Sequence, residues 1–341
     1  MLARASTGRP GARAALIVGL VAAMLPDLDS LFFRTRLEYL RYHRSWTHSF
    51  LVLPVFALLV ALGARIFLRG ARLANLWLFA AIGIASHILF DWITSFGTMF
   101  WAPLSWKRYS LDWVFILDPI FTGIAALSLA GAFVYRARGR RIAAIGSAAL
   151  AAYIGFCALL HTRALDAWRK LDHPPKGARV AVLPQLLSPF RWLGLSQHPG
   201  SVHVAFFDIG PFARGRPHPV PPTRFSEILR GLSDFYPPPE RAEIRTFAEP
   251  LDSGPLEAAL RLPDVGVYLA FARFPLATLH PESGGATEIT FEDLRFLPWF
   301  SGPWGRTTRK GFAREAFVYR VLLDRDLRPV EHGFIVRGRR G

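Results

Sequence analysis

Apolar side chains run in long blocks through the first half of the chain and in short alternating runs through the second. Four blocks, Phe50–Leu68, Leu73–Phe90, Trp113–Tyr135 and Ile142–His161, approach or exceed the roughly 18 residues that let a helix cross a bilayer. A fifth, Ala14–Leu25, stops at Pro26, and its apolar character resumes at Leu28, Leu31, Phe32 and Phe33. We read it as an unusual first membrane helix. The rival reading is a cleavable signal peptide behind Arg4, Arg9 and Arg13, but Met24-Leu25-Pro26-Asp27 breaks the small-residue rule for cleavage sites.

From Ala178 onward, β-branched and aromatic runs alternate with Pro and Gly turns: Val180–Leu183, Ser201–Phe207, Ala242–Phe247, Val265–Phe274, Glu288–Phe296 and Ala316–Leu323. Such runs predict an antiparallel β domain. Helical spacing is confined to Ser226–Leu232 and Leu256–Leu262, and Pro189-Phe190-Arg191-Trp192 reads as a turn carrying aromatic anchors. The expected fold is an α-helical membrane domain of about five helices over residues 1–162, then a mainly antiparallel β soluble domain over 163–341.

Composition agrees with this division. The 341 residues are 52% hydrophobic and 19% charged, with net charge +16. Residues 1–162 hold 16 basic and 6 acidic side chains, and residues 163–341 hold 25 and 19. The single cysteine, Cys157, excludes an internal disulfide and a cysteine-based zinc site, so any metal must be held by His, Asp or Glu. Arg4, Arg9 and Arg13, then Arg65, Arg69 and Arg72, then Arg136, Arg138, Arg140 and Arg141 fall on one side when the spans alternate. The positive-inside rule makes that side cytoplasmic, with the β domain outside.

Few acids remain in the membrane half, and their placement is informative. Asp27 and Asp29 follow the first span, His43 and His48 precede the second, His87 and Asp91 close the third, and Asp112 and Asp118 open the fourth. All eight are expected at the outer face, where ionisable groups at membrane depth pair or bind something. His87 and Asp91, four apart on a helix, point at one ion or at each other. Asp27 and Asp29 converge on a cation or flank a solvated loop. His43 and His48 share a metal only if the chain bends between them, with Ser45 or Thr47 capping the next helix. Oxygen and imidazole donors without thiolate suit zinc, manganese or iron, as one or two ions.

Leu25-Pro26-Asp27-Leu28-Asp29, His43-Arg44-Ser45-Trp46-Thr47-His48-Ser49 and Ser86-His87-Ile88-Leu89-Phe90-Asp91 resemble the motifs LPDxD, HRxxTHS and SHxxxD of the YdjM-like family of predicted membrane-bound metal-dependent hydrolases. Leu111–Pro119 resembles a segment that often follows. The likeness covers about residues 16–120, with Trp46 standing where a small residue is commoner. It implies a divalent-metal hydrolase embedded in the inner membrane. A fainter resemblance of the HxxxD helix to the zinc phospholipase C superfamily points to phosphoester cleavage.

The expected chemistry is metal-assisted hydrolysis with Asp27, Asp29, His43, His48, His87 and Asp91 as ligands. Asp112 or Asp118 serves as proton acceptor or ligand-orienting group, or else as an N-cap of the fourth span. Arg44 meets an oxyanion or a lipid headgroup. Lys107 and Arg108 meet headgroups beside the interfacial Trp101 and Trp106, and the segment from Phe96 to Trp113 forms a lid or re-entrant loop. Membrane lipids and a lipid or lipid-linked substrate are the expected partners, and nucleic acid is not. His161, His173, His198, His203, His218, His280 and His332 lack ligand spacing and read as ordinary surface or core histidines. The rival class is a non-enzymatic membrane protein with a structural metal site or a metal or proton pathway, its β domain binding a partner.

Overall fold

The computed structural model describes residues 10–211, 213, 234–250, 253–297 and 317–335. Arg4, Arg9, His218 and the helix expected at Ser226–Leu232 lie outside them, as does the side chain of Arg13. The chain forms two compact units. One comprises residues 1–34, 42–162 and 184–189, and the other 35–41, 163–183 and 190–341.

The first unit is helical: α1 (Pro10–Ala22), α3 (Leu53–Phe67), α4 (Leu73–Trp92), α5 (Pro119–Val134) and most of α6 (Gly139–Asp172); the short α2 (Arg36–Tyr42), between α1 and α3 in the chain, belongs almost wholly to the second unit. Among the described residues two helices, α4 and α6, are long and apolar enough to cross a membrane, or three spans result if the bent pair Arg36–His48 and Leu53–Phe67 counts as one. α1 has 13 residues, α3 has 15 and α5 has 16. Pro26 ends the expected first span early by starting a 3-10 run, Pro26–Phe32. Val18, Ala22, Ala57, Ala61, Leu76, Ala80, Ile84 and Ile88 form the shared core of α1, α3 and α4. Outward positions such as Leu59, Ile66, Phe133 and Ile145 are large, apolar and more than 60% exposed, which suits lipid contact.

Small residues set how closely α1 and α4 approach. A Cβ added at Gly83 would lie 2.2 Å from the Gly19 carbonyl oxygen, so the two backbones are in direct contact. The contact brings the chain leaving α1, with Asp27, to the end of α4 that carries His87, one turn beyond Gly83.

The second unit holds two four-stranded sheets. Strand order is β1 (Val180–Gln185), β2 (Ser188–His198), β3 (Ser201–Asp208), β4 (Arg245–Ala248) in one, and β5 (Pro275–Pro281), β6 (Thr287–Asp293), β7 (Val318–Leu323), β8 (Pro329–Phe334) in the other. The pairs β2–β3, β3–β4, β5–β6, β6–β7 and β7–β8 are antiparallel. Leu193, Leu195, Val202, Val204 and Phe206 of the first sheet share a core with Phe274, Leu276 and Leu294.

Two local readings are corrected. Val265–Phe274 is not a strand: residues Pro263–Phe271 form a helix that buries Val265, Tyr268 and Phe271, with Pro263 in its first turn and Asp264 behind it. Spacing by threes outweighs the β-branched composition. Pro189–Trp192 is not a turn but part of β2; the turn lies at Leu186 and Leu187, where Leu187 takes φ 69°. The helix expected at Leu256–Leu262 appears as Gly254–Leu260.

Candidate metal centre

Four short stretches of chain converge in the first unit. The 3-10 run after Pro26 supplies Asp27 and Asp29, a turn supplies His43 and Arg44, a 3-10 turn at Trp46–His48 supplies Thr47 and His48, and the end of α4 supplies His87 and Asp91. One donor atom from each of Asp27, His48, His87 and Asp91 lies within 4.8 Å of the other three.

The individual separations test whether one ion fits. His48 Nε2 is 3.1 Å from His87 Nε2, 3.1 Å from Asp91 Oδ2 and 3.4 Å from Asp27 Oδ1. His87 Nε2 is 3.4 Å from Asp27 Oδ1 and 3.5 Å from Asp91 Oδ2. Four zinc bonds of about 2.0–2.1 Å in a tetrahedron set donor atoms about 3.3–3.4 Å apart, so these edges fit an ion of that size. Asp91 Oδ2 is buried and accepts no hydrogen bond among the described residues, although two imidazole nitrogens face it. That is the arrangement of donors awaiting a cation. Asp27 is the open member, its side chain 55% exposed, whereas His48 is fully buried.

Asp29 and His43 stand beside this group and not within it. Two residues on, a 3-10 helix has turned about 240°, so Asp27 and Asp29 point to different neighbours. Asp29 Oδ1 is 2.8 Å from His43 Nδ1, and Asp29 Oδ2 accepts the Thr47 hydroxyl at 2.9 Å. Thr47 Oγ1 also lies 2.9 Å from His48 Nδ1. A hydroxyl has one proton, and Thr47 gives it to Asp29, so His48 Nδ1 must be the donor to Thr47. Its Nε2 is then the lone-pair nitrogen, aimed at the other donors. The sequence offered Thr47 as a helix cap and as part of the His43–Ser49 motif, and not as the group that orients His48. Neither Ser45 nor Thr47 caps a helix here, and the Ser45 hydroxyl donates to the Tyr42 carbonyl.

Arg44 is buried, its guanidinium 2.9 Å from Asp91 Oδ1 and 3.3 Å from Thr94 Oγ1, with its charge over the Phe96 ring at 4.9 Å. It orients the carboxylate whose other oxygen faces the imidazoles. Arg108 donates to the Gly97 and His43 carbonyls at 3.1 and 3.2 Å, pinning the loop that carries His43. The stretch from Phe96 to Trp113 is tied down by the Thr98–Tyr109 bridge, by Met99 N to Arg44 O at 2.9 Å, and by Ser49 Oγ to the Phe100 and Ala102 carbonyls. It is a bonded wall. Asp118 caps α5, accepting from the Ile120 and Phe121 amides and from the Tyr153 hydroxyl at 2.8 Å. Asp112 is buried at φ 57°.

A second His/Asp group, Asp172 with His198 and His203, lies in the second unit. Sequence spacing did not reveal it, because the pairing of β2 with β3 and the end of α6 create it.

Comparison with known proteins finds relatives of this region. A 121-residue stretch is 26% identical to the uncharacterized protein YfhP of Bacillus subtilis (strain 168), covering 35% of this chain and 37% of that protein. A 104-residue stretch is 38% identical to the inner membrane protein YbcI of Escherichia coli (strain K12), covering 29% of this chain and 58% of that one. The chain thus spans well under two thirds of either relative. No solved structure matches significantly. The family described as YdjM inner membrane protein matches residues 1–164, the stretch that contains the whole converging group.

Proposed function

We propose that the protein is a membrane-bound metal-dependent hydrolase that cleaves a phosphoester or other ester of a lipid or lipid-linked substrate at the outer face of the inner membrane. The observation that carries this is the convergence of Asp27, His48, His87 and Asp91 at separations suited to one small cation. The proposal includes five spans, with α1, α3 and α5 crossing despite their short length, a cytoplasmic N-terminus and an outer C-terminal unit. Zinc best fits the donor set, with manganese or iron as alternatives.

A bound divalent ion supplies Lewis acidity and makes water nucleophilic near neutral pH. The chain's own residues prepare that chemistry. Thr47 and Asp29 fix the His48 tautomer, and Arg44 fixes Asp91. Asp27, on the open side, is where a substrate gains access. With Asp118 engaged as a cap, the Asp29–His43 pair is the proton acceptor beside the metal donors.

A second reading has one specific support. Four protein donors is the number found in closed structural zinc sites, which need no substrate position. Metal analysis of the purified protein, with hydrolysis of phosphoester lipids by wild type and Asp91→Ala, separates the two. Stoichiometric metal with hydrolysis lost in the variant supports the enzyme. Stoichiometric metal with no hydrolysis and no altered lipid in cell extracts supports the structural site.

A further inference from the structure

The end of α6 lies across one face of the first sheet in the second unit. A Cβ at Gly194 would meet the Trp168 ring at 2.4 Å, so this glycine is the seat of the indole, which also stacks on Phe207 at 6.3 Å. One turn further along the helix, Asp172 reaches the same face. Register explains what it meets: Ser196 opposes His203, and Ser201 opposes His198, so the two histidines are diagonal neighbours on that face. Asp172 Oδ2 is 2.8 Å from His198 Nε2, and Asp172 Oδ1 is 2.7 Å from His203 Nδ1. The Ser196 hydroxyl donates to Oδ2 as well.

We propose that Asp172, His198 and His203 form a second metal site, for a divalent ion of the zinc class, held by two imidazoles and one carboxylate. One donor atom from each lies within 4.8 Å of the others. The Asp172 side chain is completely buried, and no Lys or Arg side chain pairs with it among the described residues. It also terminates a helix, where the macrodipole disfavours an anion. The two imidazole rings stack at 3.8 Å and 19°, which sets them side by side over the carboxylate. A divalent ion held by both imidazoles and the carboxylate would compensate the buried charge. Ser196 orients the carboxylate from behind, and the side chains of His198 and His203, 15% and 23% exposed, leave a path from solvent. Three protein donors leave a position for water or an anionic group. The site lies beyond the family-matched residues 1–164 and is independent of the first centre.

The test uses the full chain in detergent, titrated with zinc and with cobalt. In His48→Ala/His87→Ala, which removes donors of the first centre, one zinc equivalent should remain and cobalt should give the visible absorption of a low-coordinate nitrogen and oxygen site. Adding His198→Ala and His203→Ala should abolish both signals, Ser196→Ala should weaken binding about 10–100-fold, and His280→Ala should leave them intact. No zinc bound in His48→Ala/His87→Ala overturns the proposal without any change to the second site. Zinc binding that survives loss of His198 and His203 overturns it as well.

Discussion

Arg44 and Asp91 form a buried ion pair, with guanidinium Nη2 2.9 Å from Oδ1. The pair links the His43–His48 segment to the end of α4. Arg44→Met should leave the carboxylate buried without compensation and cost about 3–5 kcal/mol. Arg44→Lys should lose less, because the charge remains while the second arm to Thr94 is lost. Thermal unfolding in detergent checks the order Met worse than Lys.

Thr47 should matter through His48. Thr47→Ala removes the acceptor that fixes the tautomer and should weaken metal binding about 10–100-fold, and Thr47→Ser should restore it. Zinc titration followed by calorimetry measures both. Equal affinity in wild type and Thr47→Ala would remove the hydroxyl from the account.

Asp118 should act on stability alone. Asp118→Ala deletes the cap of α5 and the Tyr153 hydrogen bond, a loss of about 1 kcal/mol for the cap. Metal content should stay at the wild-type value, whereas His48→Ala should lower it by the equivalent held at the first centre. Elemental analysis of the two purified variants makes the comparison.

Glycines of the membrane unit should divide by what surrounds them. Gly83→Ala forces a Cβ against the Gly19 carbonyl and should cost about 1–3 kcal/mol. Gly123→Ala and Gly155→Ala meet nothing within 4 Å and should be neutral or stabilising by up to about 1 kcal/mol. Unfolding midpoints of the three variants decide this.

The sequence alone determined what local pattern can determine. Long apolar blocks separate a helical membrane region from one with short strands, because hydropathy and period act over neighbouring residues. The three motifs around Asp27, His48 and His87 named the chemistry-bearing residues, since acids and histidines are so few among those spans. Tertiary structure decided their roles. The turn of the 3-10 run sends Asp27 toward the imidazoles and Asp29 toward His43 and Thr47, a difference of azimuth invisible in a DxD pattern. Arg44 became a partner of Asp91 by folding back 47 positions along the chain, and Asp118 was taken by an adjacent helix end. His198 and His203 read as ordinary histidines because five residues is no metal spacing on one strand. Only the β2–β3 register, and a helix ending above it, placed them around Asp172. Such contacts depend on distances between segments remote in sequence, which hydropathy along the chain does not encode.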